Sequence, residues 1–438
     1  MSAPVVANAD VASALAEAEA QFEAANPKSL AQFQDAAAAM PGGNTRTVLY
    51  YRPFPLTIVR GEGCRLWDLD GHEYLDFLGE YTAGLYGHSN PVIRAAIDRA
   101  LDQGVVLGGQ TTAEAGLAEA VVARFPAIER VRFTNSGTEA NLMAISAARA
   151  HTGRGKVMVM DGGYHGGILY FAPGGSPLNA PFPYLTGRYN DVDGCRALIR
   201  EHADELACVI LEPLQGAGGC IEAEPEFLEM LRAETERAGA LLIFDEVMTS
   251  RLSAGGLQKI TGVHPDLTSL GKYIGGGMSF GAFGGRAGII DRFDPRREDA
   301  WPHAGTFNNN VLTMNAGLAG LTEIYTPEVA EAFNARGDRL RDDLNQLARN
   351  HDVAVQFTGR GSMIGCHFRR GRIRDIDDAM AGRNELRPLL HMDLLAQGIY
   401  PASRGMFALT LAHDEATFEA LLAAMNEFLD SRRSLLGD

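Results

Sequence analysis

One lysine of the chain occupies a position at which an amine could act as a nucleophile. The 438-residue sequence contains 35 arginines but only four lysines, at positions 28, 156, 259 and 272. Lys272 follows an apolar run that ends in glycine, and it precedes Tyr-Ile-Gly-Gly-Gly. Desolvation at the end of a buried strand lowers the pKa of an ammonium group and favours attack on a carbonyl. The plain alternative is a lysine that extends its ammonium from a strand end into water.

An aspartate and two turns could accompany this lysine. Asp245 ends the apolar run ALLIFD, where a carboxylate is costly unless it meets a cation such as a protonated pyridine nitrogen. Ser136, Gly137 and Thr138 stand where an apolar run turns into a helical stretch, so they offer N–H groups and hydroxyls to a phosphate. The turn GGYHGG presents Tyr164, whose ring could lie against a flat cofactor. Alternatively, Asp245, Ser136 and Thr138 cap helices and Tyr164 serves packing.

The elements that must position these residues are five apolar runs, each ending in polar or glycine residues. They are 131–135, 156–163, 206–213, 240–247 and 266–272. Their alternation with helical stretches predicts an α/β fold with a mostly parallel sheet wrapped by helices, and ligands bind beyond the carboxyl ends of such strands. We expect a large cofactor-binding domain over 86–325 and a smaller α+β domain built from 1–85 and 326–438. Within the smaller domain, 10–25 predicts a surface helix and Asp70-Gly71 predicts a hairpin turn.

Four parts are needed to hold pyridoxal 5'-phosphate, and the sequence offers a candidate for each. They are a strand-end lysine, a strand-end aspartate, a turn that could bind phosphate (the phosphate turn, 136–138) and a turn that presents a tyrosine (the aromatic turn, 162–167). Over nearly its whole length the sequence resembles the class III pyridoxal-phosphate aminotransferases of fold type I, in the branch that contains the glutamate-1-semialdehyde aminomutases. Within that branch it is similar to the bacterial β-phenylalanine and other β-amino acid aminotransferases. The stretches that carry the resemblance are AMPGGNTRTVLYYRPFPLTI, EYTAGLYGHS, FTNSGTEANLM, GGYHGG, FDEVMTSRL, LGKYIGGGMSFGAFGGR and HAGTFNNNVLTM.

The resemblance implies a role for each candidate residue of the cofactor site. Lys272 would form the Schiff base, Asp245 would pair with the ring nitrogen, and Tyr164 would stack on the ring. The remaining implied roles are phosphate binding by Ser136, Gly137 and Thr138, contact with the other ring face by Val247, and hydrogen bonding around the site by Glu212. Thr306 would reach the phosphate of a second subunit, which requires a homodimer.

Two arginines are candidates for binding substrate carboxylates, which planar guanidinium groups hold in a bidentate manner. Arg46 lies in a Gly-rich loop where the resembling aminomutases place their carboxylate-binding arginine; a surface loop arginine is the plain alternative. Arg404 follows a Pro-Ala-Ser turn where the aminomutases carry no arginine. Because two arginines suit a dicarboxylate acceptor, we expect transfer of the amino group of a β-amino acid to 2-oxoglutarate, giving a β-keto acid and glutamate. An intramolecular aminomutase and a non-catalytic relative are the alternatives.

Composition narrows the classes of partner. A net charge of −16 disfavours nucleic acid and anionic membranes. Five cysteines without a CxxC pair, and an N-terminus without a basic targeting segment, favour the cytoplasm. Scattered histidines without HExxH spacing disfavour a metal site. The GxSxG match at 277–281 lies in a glycine run, which disfavours a serine hydrolase, and the loops that bind nicotinamide cofactors or ATP are incomplete.

Overall fold

The computed structural model describes residues 10–437. Its α-helices are α1 (Val11–Ala25), α2 (Pro27–Ala37), α3 (Pro91–Gln103), α4 (Thr112–Arg124), α5 (Gly137–Thr152), α6 (Val192–Glu201), α7 (Pro225–Ala238), α8 (Gly256–Thr261), α9 (Ala287–Ile290), α10 (Val311–Ala319), α11 (Pro327–His351), α12 (Ile376–Met380), α13 (Leu386–Ala396) and α14 (Glu415–Ser431). Their ends carry the expected capping residues. The Ser136 side chain accepts from the Glu139 amide at the start of α5, and Gly153 ends α5 in the left-handed conformation.

The strands belong to one large sheet and three smaller ones. They are β1 (Ile58–Glu62), β2 (Arg65–Asp68), β3 (Glu73–Asp76), β4 (Arg130–Thr134), β5 (Lys156–Met160), β6 (Tyr184–Gly187), β7 (Leu206–Leu211), β8 (Leu214–Gln215), β9 (Ile221–Glu222), β10 (Leu241–Asp245), β11 (Leu267–Gly271), β12 (Gly281–Gly285), β13 (Gln356–Arg360), β14 (Met363–His367), β15 (Ile399–Tyr400) and β16 (Met406–Ala408). The large sheet has seven strands in the order β4-β12-β11-β10-β7-β5-β6.

The predicted α/β fold is confirmed in this large sheet. The five apolar runs form β4, β5, β7, β10 and β11, and these strands run parallel to one another. Sequence reasoning missed β6 and also β12, which is antiparallel to both of its neighbours. The glycines of β12 hid the strand. A Cβ at Gly281 would lie 2.0 Å from the Ser136 carbonyl oxygen, so close backbone approach excludes the side chains that usually mark a strand.

Helices cover both faces of the sheet, as the side chains of β10 show by packing alternately against one set of helices and the other. Leu242 and Phe244 pack in the cluster that includes α6 and α7, whereas Leu241 and Ile243 pack in the cluster that includes α5. Successive side chains of a strand point to opposite faces. Asp245, two residues after Ile243, therefore lies on the α5 side of the sheet.

Segments that precede and follow the large sheet in the sequence meet in a smaller sheet with the order β1-β2-β3-β15. β15, near the C-terminus, pairs in parallel with β3, and β2 and β3 form the hairpin that Asp70-Gly71 predicts. A second small sheet has the order β13-β14-β16. The predicted N-terminal helix is α1, with Phe22 buried on its inner side. The domain boundaries near residues 85 and 325 stay a prediction.

Candidate active site

The polar strand ends predicted from the sequence lie at one edge of the large sheet. Asp245 ends β10, Lys272 follows β11, and Glu212 follows β7; these three strands are neighbours. Tyr164 follows β5, the next strand, and its backbone amide donates to Glu212 Oε1 at 3.0 Å. The start of α5 approaches the same region, because its Asn141 donates to Asp245. The structure thus brings together side chains from widely separated parts of the sequence.

Val247 lies between the start of α5 and the residue that precedes Lys272. A Cβ built on Gly137 would lie 2.9 Å from both Val247 methyl carbons, and one built on Gly271 would lie 3.0 Å from one of them. Val247 therefore packs between the phosphate turn and the residue that precedes Lys272. This is a position from which an apolar side chain can contact one face of a flat ligand.

Lys272 is held in a conformation unusual for a lysine. Its φ of 56° lies in the left-handed region, and its Nζ donates to the Tyr81 carbonyl oxygen at 2.6 Å. Desolvation lowers the pKa of Lys272 to about 8, and the Arg404 and Arg46 guanidinium groups act in the same direction. About a tenth of this amine is therefore unprotonated at pH 7, far more than for a lysine with an ordinary pKa. Lys156, by contrast, pairs with Glu205 at 2.8 Å.

Asp245 is almost fully buried and is surrounded by donors. Its Oδ2 accepts from Asn141 Nδ2 at 2.7 Å and contacts His165 Nδ1 at 2.8 Å, while its Oδ1 accepts from the Val247 amide at 2.9 Å. Because an ionised carboxylate only accepts, the His165 contact requires a proton on Nδ1. The Val247 contact means that Asp245 also caps a turn. The plain alternative expected a helix cap, but no α-helix begins directly after Asp245.

Sequence reasoning did not single out Asn141. Its side chain also donates to the His165 carbonyl oxygen at 2.9 Å, so it fixes both the aspartate and the turn that carries the histidine. The signal was present, because Asn141 stands one helical turn after Gly137, on the face of α5 that packs on the sheet. Only the alternation along β10 reveals that this face meets Asp245.

Glu212 is a buried carboxyl group that anchors two loops. Its Oε2 accepts from the Gly216 amide at 3.0 Å, and its Oε1 accepts from the Tyr164 amide. Burial raises the pKa of Glu212 to about 7, and the nearby charge of Asp245 acts in the same direction. Glu212 thus fixes the aromatic turn by hydrogen bonds to the backbone.

The phosphate turn is tightly packed against the aromatic turn. A Cβ at Gly166, whose φ is 128°, would lie 2.2 Å from the Thr138 hydroxyl oxygen. The first amides of α5 have no acceptor within the helix, as at any helix start, so those of Gly137 and Thr138 can bind an anion. The Ser136 hydroxyl is used as the helix cap. Tyr164 is 39% exposed, and its ring makes an edge contact with Tyr170.

Both arginines that the sequence suggests for substrate carboxylates lie beside Tyr81, a residue that sequence reasoning did not single out. The Arg404 Cζ atom lies 4.9 Å from the centre of the Tyr81 ring, and the Arg46 Cζ atom lies 5.8 Å from it. Arg46 also pairs with Glu80, so a carboxylate that binds Arg46 must share it with this glutamate. Arg404 has no ion-pair partner within residues 10–437, and its buried Nε lacks a hydrogen-bond partner there.

Thr306 is exposed on a turn in which the Asn308 amide donates to the Gly305 carbonyl oxygen. The Asn135 side chain donates to Asn308 Oδ1 at 3.0 Å, so this turn lies beside the start of α5. Asn310 caps α10. The expected reach of Thr306 into a second subunit stays a prediction.

Three further features of the sequence can be compared with the structure. The part of the chain from 10 to 437 has no cluster of three or more His, Cys, Asp and Glu residues suited to a metal ion. It also has no helix of the length and apolarity needed to cross a membrane. The GxSxG match precedes β12 and is not followed by a helix, so it is not a nucleophile elbow.

Comparisons with known proteins identify the family of this chain. A family model for class III aminotransferases matches residues 49–406. The β-phenylalanine transaminase of Variovorax paradoxus is 52% identical over 429 residues, which cover 98% of this chain and 99% of that protein. The crystal structure of a β-phenylalanine aminotransferase from the same species matches with a TM-score of 0.96, at 52% identity and with 98% and 99% of the two chains covered.

More distant relatives show the same fold and family. Glutamate-1-semialdehyde 2,1-aminomutase 2 of Bacillus mycoides is 36% identical over 418 residues, which cover 91% of this chain and 96% of that protein. A transaminase solved with PLP bound matches with a TM-score of 0.85 at 32% identity, covering 94% of this chain and 98% of that one. The chain belongs to the class III aminotransferases, enzymes of fold type I that depend on pyridoxal 5'-phosphate.

Proposed function

We propose that this transaminase moves the amino group of a β-amino acid, of the β-phenylalanine type, to 2-oxoglutarate, giving a β-keto acid and glutamate. The observation that carries the proposal is the convergence of Arg46 and Arg404 on Tyr81, whose carbonyl oxygen accepts from Lys272. The reacting amine and two carboxylate-binding groups are thus connected through one residue. The 52% identity to a β-phenylalanine transaminase supports the choice of amino donor.

The residues at the sheet edge fit pyridoxal 5'-phosphate. Asp245 is a buried carboxylate suited to a protonated ring nitrogen, and the α5 amides with Ser136 and Thr138 suit a phosphate. Tyr164 and Val247 supply the aromatic and apolar surfaces for the ring. When bound, this cofactor supplies an electron sink that stabilises negative charge on the amine-bearing carbon of the substrate.

Lys272 is assigned the covalent attachment of the cofactor and the movement of a proton. Its lowered pKa favours the unprotonated amine that attacks a carbonyl. Once the substrate amine has displaced it from the cofactor, the free Lys272 amine would accept the proton of the amine-bearing carbon. The Tyr81 carbonyl oxygen orients Nζ. Asp245, which contacts Asn141, His165 and the Val247 amide, would pair with a protonated ring nitrogen of the cofactor.

The two arginines are assigned different carboxylates. Arg46 binds the carboxylate of the β-amino acid, in competition with Glu80. Arg404, which has no ion-pair partner in the described part of the chain, binds the second carboxylate of 2-oxoglutarate. A planar guanidinium can donate two parallel hydrogen bonds to such a group.

A homodimer completes the proposed site, with Thr306 at the phosphate of the partner. Large apolar side chains on the surface support this assembly: Phe307, beside Thr306, is 59% exposed and Val106 is 82% exposed. The cytoplasm is proposed as the location. Its support is that the five cysteines are free and buried, in keeping with a reducing compartment.

An amine-donor screen tests the proposal. Purified holoenzyme is supplied with 2-oxoglutarate and, separately, with β-phenylalanine, β-alanine, β-glutamate or an ω-amine without a carboxylate, and glutamate formation is measured. We expect β-phenylalanine to be turned over and the ω-amine to be poor. A preference for the carboxylate-free amine would contradict the role of Arg46.

The alternative is an intramolecular aminomutase, favoured by the 36% identity to a glutamate-1-semialdehyde aminomutase. The two activities differ in their need for a second substrate. We expect turnover only when a keto acid is present. Turnover of a single amino-carbonyl compound without any acceptor would favour the aminomutase.

A further inference from the structure

The segment that presents Tyr81 to the site has an unusual backbone. Gly79, Glu80, Tyr81 and Thr82 have φ values of 51°, 47°, 50° and 79°, so four consecutive residues adopt the left-handed conformation. Only glycine adopts this conformation without steric cost, and a run of it is not expected to persist alone. Surrounding contacts must hold this left-handed turn, residues 79–82, in place.

Arg251 is a buried side chain that contacts this turn at Thr82, whereas Asp76 and Lys272 contact it at Gly79 and Tyr81. Its Nη1 donates to the Thr82 carbonyl oxygen at 3.0 Å, its Nε donates to Ser362 Oγ at 2.9 Å, and its Nη2 donates to the Leu409 carbonyl oxygen. Arg251 has no exposed surface and no carboxylate partner within residues 10–437. An unpaired buried cation is costly, so it calls for an explanation other than charge pairing.

The backbone of Arg251 is also held. Its carbonyl oxygen accepts from Asn334 Nδ2 at 2.8 Å and from the Tyr325 hydroxyl. Arg251 follows β10, so it belongs to the part of the chain that carries Asp245. Thr82 and Leu409 belong to two other segments, and Arg251 therefore fixes the left-handed turn relative to the large sheet.

We propose that Arg251 is a positioning residue: one guanidinium hydrogen bond holds the left-handed turn at the Thr82 carbonyl oxygen, and two more fix the guanidinium itself, so that Tyr81 meets Lys272 and the two proposed substrate arginines. Three acceptors in different directions require the planar fork of arginine, which the single ammonium of lysine cannot reproduce. Arg251 contacts neither Lys272 nor the arginines, and it acts only through the turn. The inference rests on the proposed roles of Lys272, Arg46 and Arg404.

The test compares Arg251→Lys with Arg383→Lys. Arg383 is a matched control, because it is partly buried and donates to a backbone carbonyl, that of Leu435, but contacts neither the left-handed turn nor a residue that holds Arg251. Hydrogen exchange is measured by mass spectrometry on the full-length, cofactor-free chain. We expect the amides of 79–84 to exchange about 10-fold faster or more in Arg251→Lys only, while those of β7 stay unchanged.

Kinetics of the holoenzyme give the second readout. Simple destabilisation lowers the amount of active enzyme and hence kcat, whereas a displaced Tyr81 weakens carboxylate binding and raises KM. We expect Arg251→Lys to raise KM for the keto acid about 10-fold or more, with a smaller change in kcat. Hydrogen exchange does not depend on the identity of the substrates, so it tests Arg251 even if the proposed acceptor is wrong.

Ser362→Ala provides a milder variant that removes only the Nε acceptor. It should change exchange and KM in the same direction and by less, and it carries the test if Arg251→Lys does not fold. If the variants match Arg383→Lys in exchange at 79–84 and in KM, Arg251 has only a structural role and the inference is overturned.

Discussion

Replacing Arg404 with glutamine is expected to weaken the use of 2-oxoglutarate strongly while leaving the fold intact. The guanidinium lacks an ion-pair partner in the described chain, so its removal leaves no buried carboxylate without a counterion. What is lost in the unliganded protein is a cation–π contact with Tyr81 at 4.9 Å and a weak contact with the Met406 sulfur at 3.5 Å. Such contacts contribute on the order of 1 kcal/mol.

The expected loss of 2-oxoglutarate binding is larger than this loss of contacts in the unliganded protein. Hydrogen bonds to charged groups contribute about 1.5 to 3 kcal/mol each. Two of them from Arg404 to one carboxylate give about 3 to 6 kcal/mol, or roughly 10²- to 10⁴-fold in kcat/KM. Pyruvate lacks the second carboxylate, so its kcat/KM should fall less than about threefold.

The assay is steady-state kinetics with β-phenylalanine as donor and either keto acid as the varied acceptor. Arg60→Gln is the matched control, because Arg60 also packs over an aromatic ring, that of Trp67, in the same region of the fold. Unlike Arg404, Arg60 is largely exposed and pairs with Glu62. Thermal unfolding checks that both variants are folded. The reasoning is refuted if Arg404→Gln uses 2-oxoglutarate nearly as well as the wild type, or loses both keto acids equally.

Three further predictions concern the cofactor site. Gly166→Ala places a Cβ 2.2 Å from the Thr138 hydroxyl and should weaken pyridoxal-phosphate binding about 10-fold or more in a spectroscopic titration, whereas Gly167→Ala meets open space and should bind normally. The rate at which the cofactor-free protein binds pyridoxal phosphate should rise with pH, with the midpoint of the rise at about pH 8, because only the unprotonated Lys272 amine attacks; a rate that falls as pH rises from 7 to 9 would contradict this. Asn141→Ala removes the 2.7 Å donor of the strand-end aspartate, and kcat should fall about 5- to 100-fold with the cofactor still bound; an unchanged kcat would show that this donor is dispensable.

The sequence predicts the scaffold of the site better than its details. Apolar runs with polar ends identify the parallel strands, and the rule that ligands bind beyond carboxyl ends places Lys272, Asp245 and Glu212 at one edge. The sequence does not predict strand β12, because neighbouring backbone leaves room only for glycine at several of its positions. Residues with high β propensity are therefore absent from those positions. Patterns of hydrophobicity do not report that constraint.

Contacts between distant segments explain what remains hidden. Tyr81 faces the site because a left-handed turn is held by Arg251, and no local pattern in EYTAGLY signals that conformation. Likewise, the pairing of Arg46 with Glu80 joins residues that are 34 positions apart. Thr306 can be assigned only by resemblance, since its proposed partner belongs to a second chain.

The covalent attachment of the cofactor to Lys272 is the central claim, and borohydride reduction followed by peptide mass mapping tests it most directly. The sequence helps, because the only competing side chains are the lysines at 28, 156 and 259. The holoenzyme should carry the reduced pyridoxal-phosphate adduct on the peptide that contains Lys272, and Lys272→Ala should carry none. An adduct on another lysine, or none on the wild-type holoenzyme, would contradict the account.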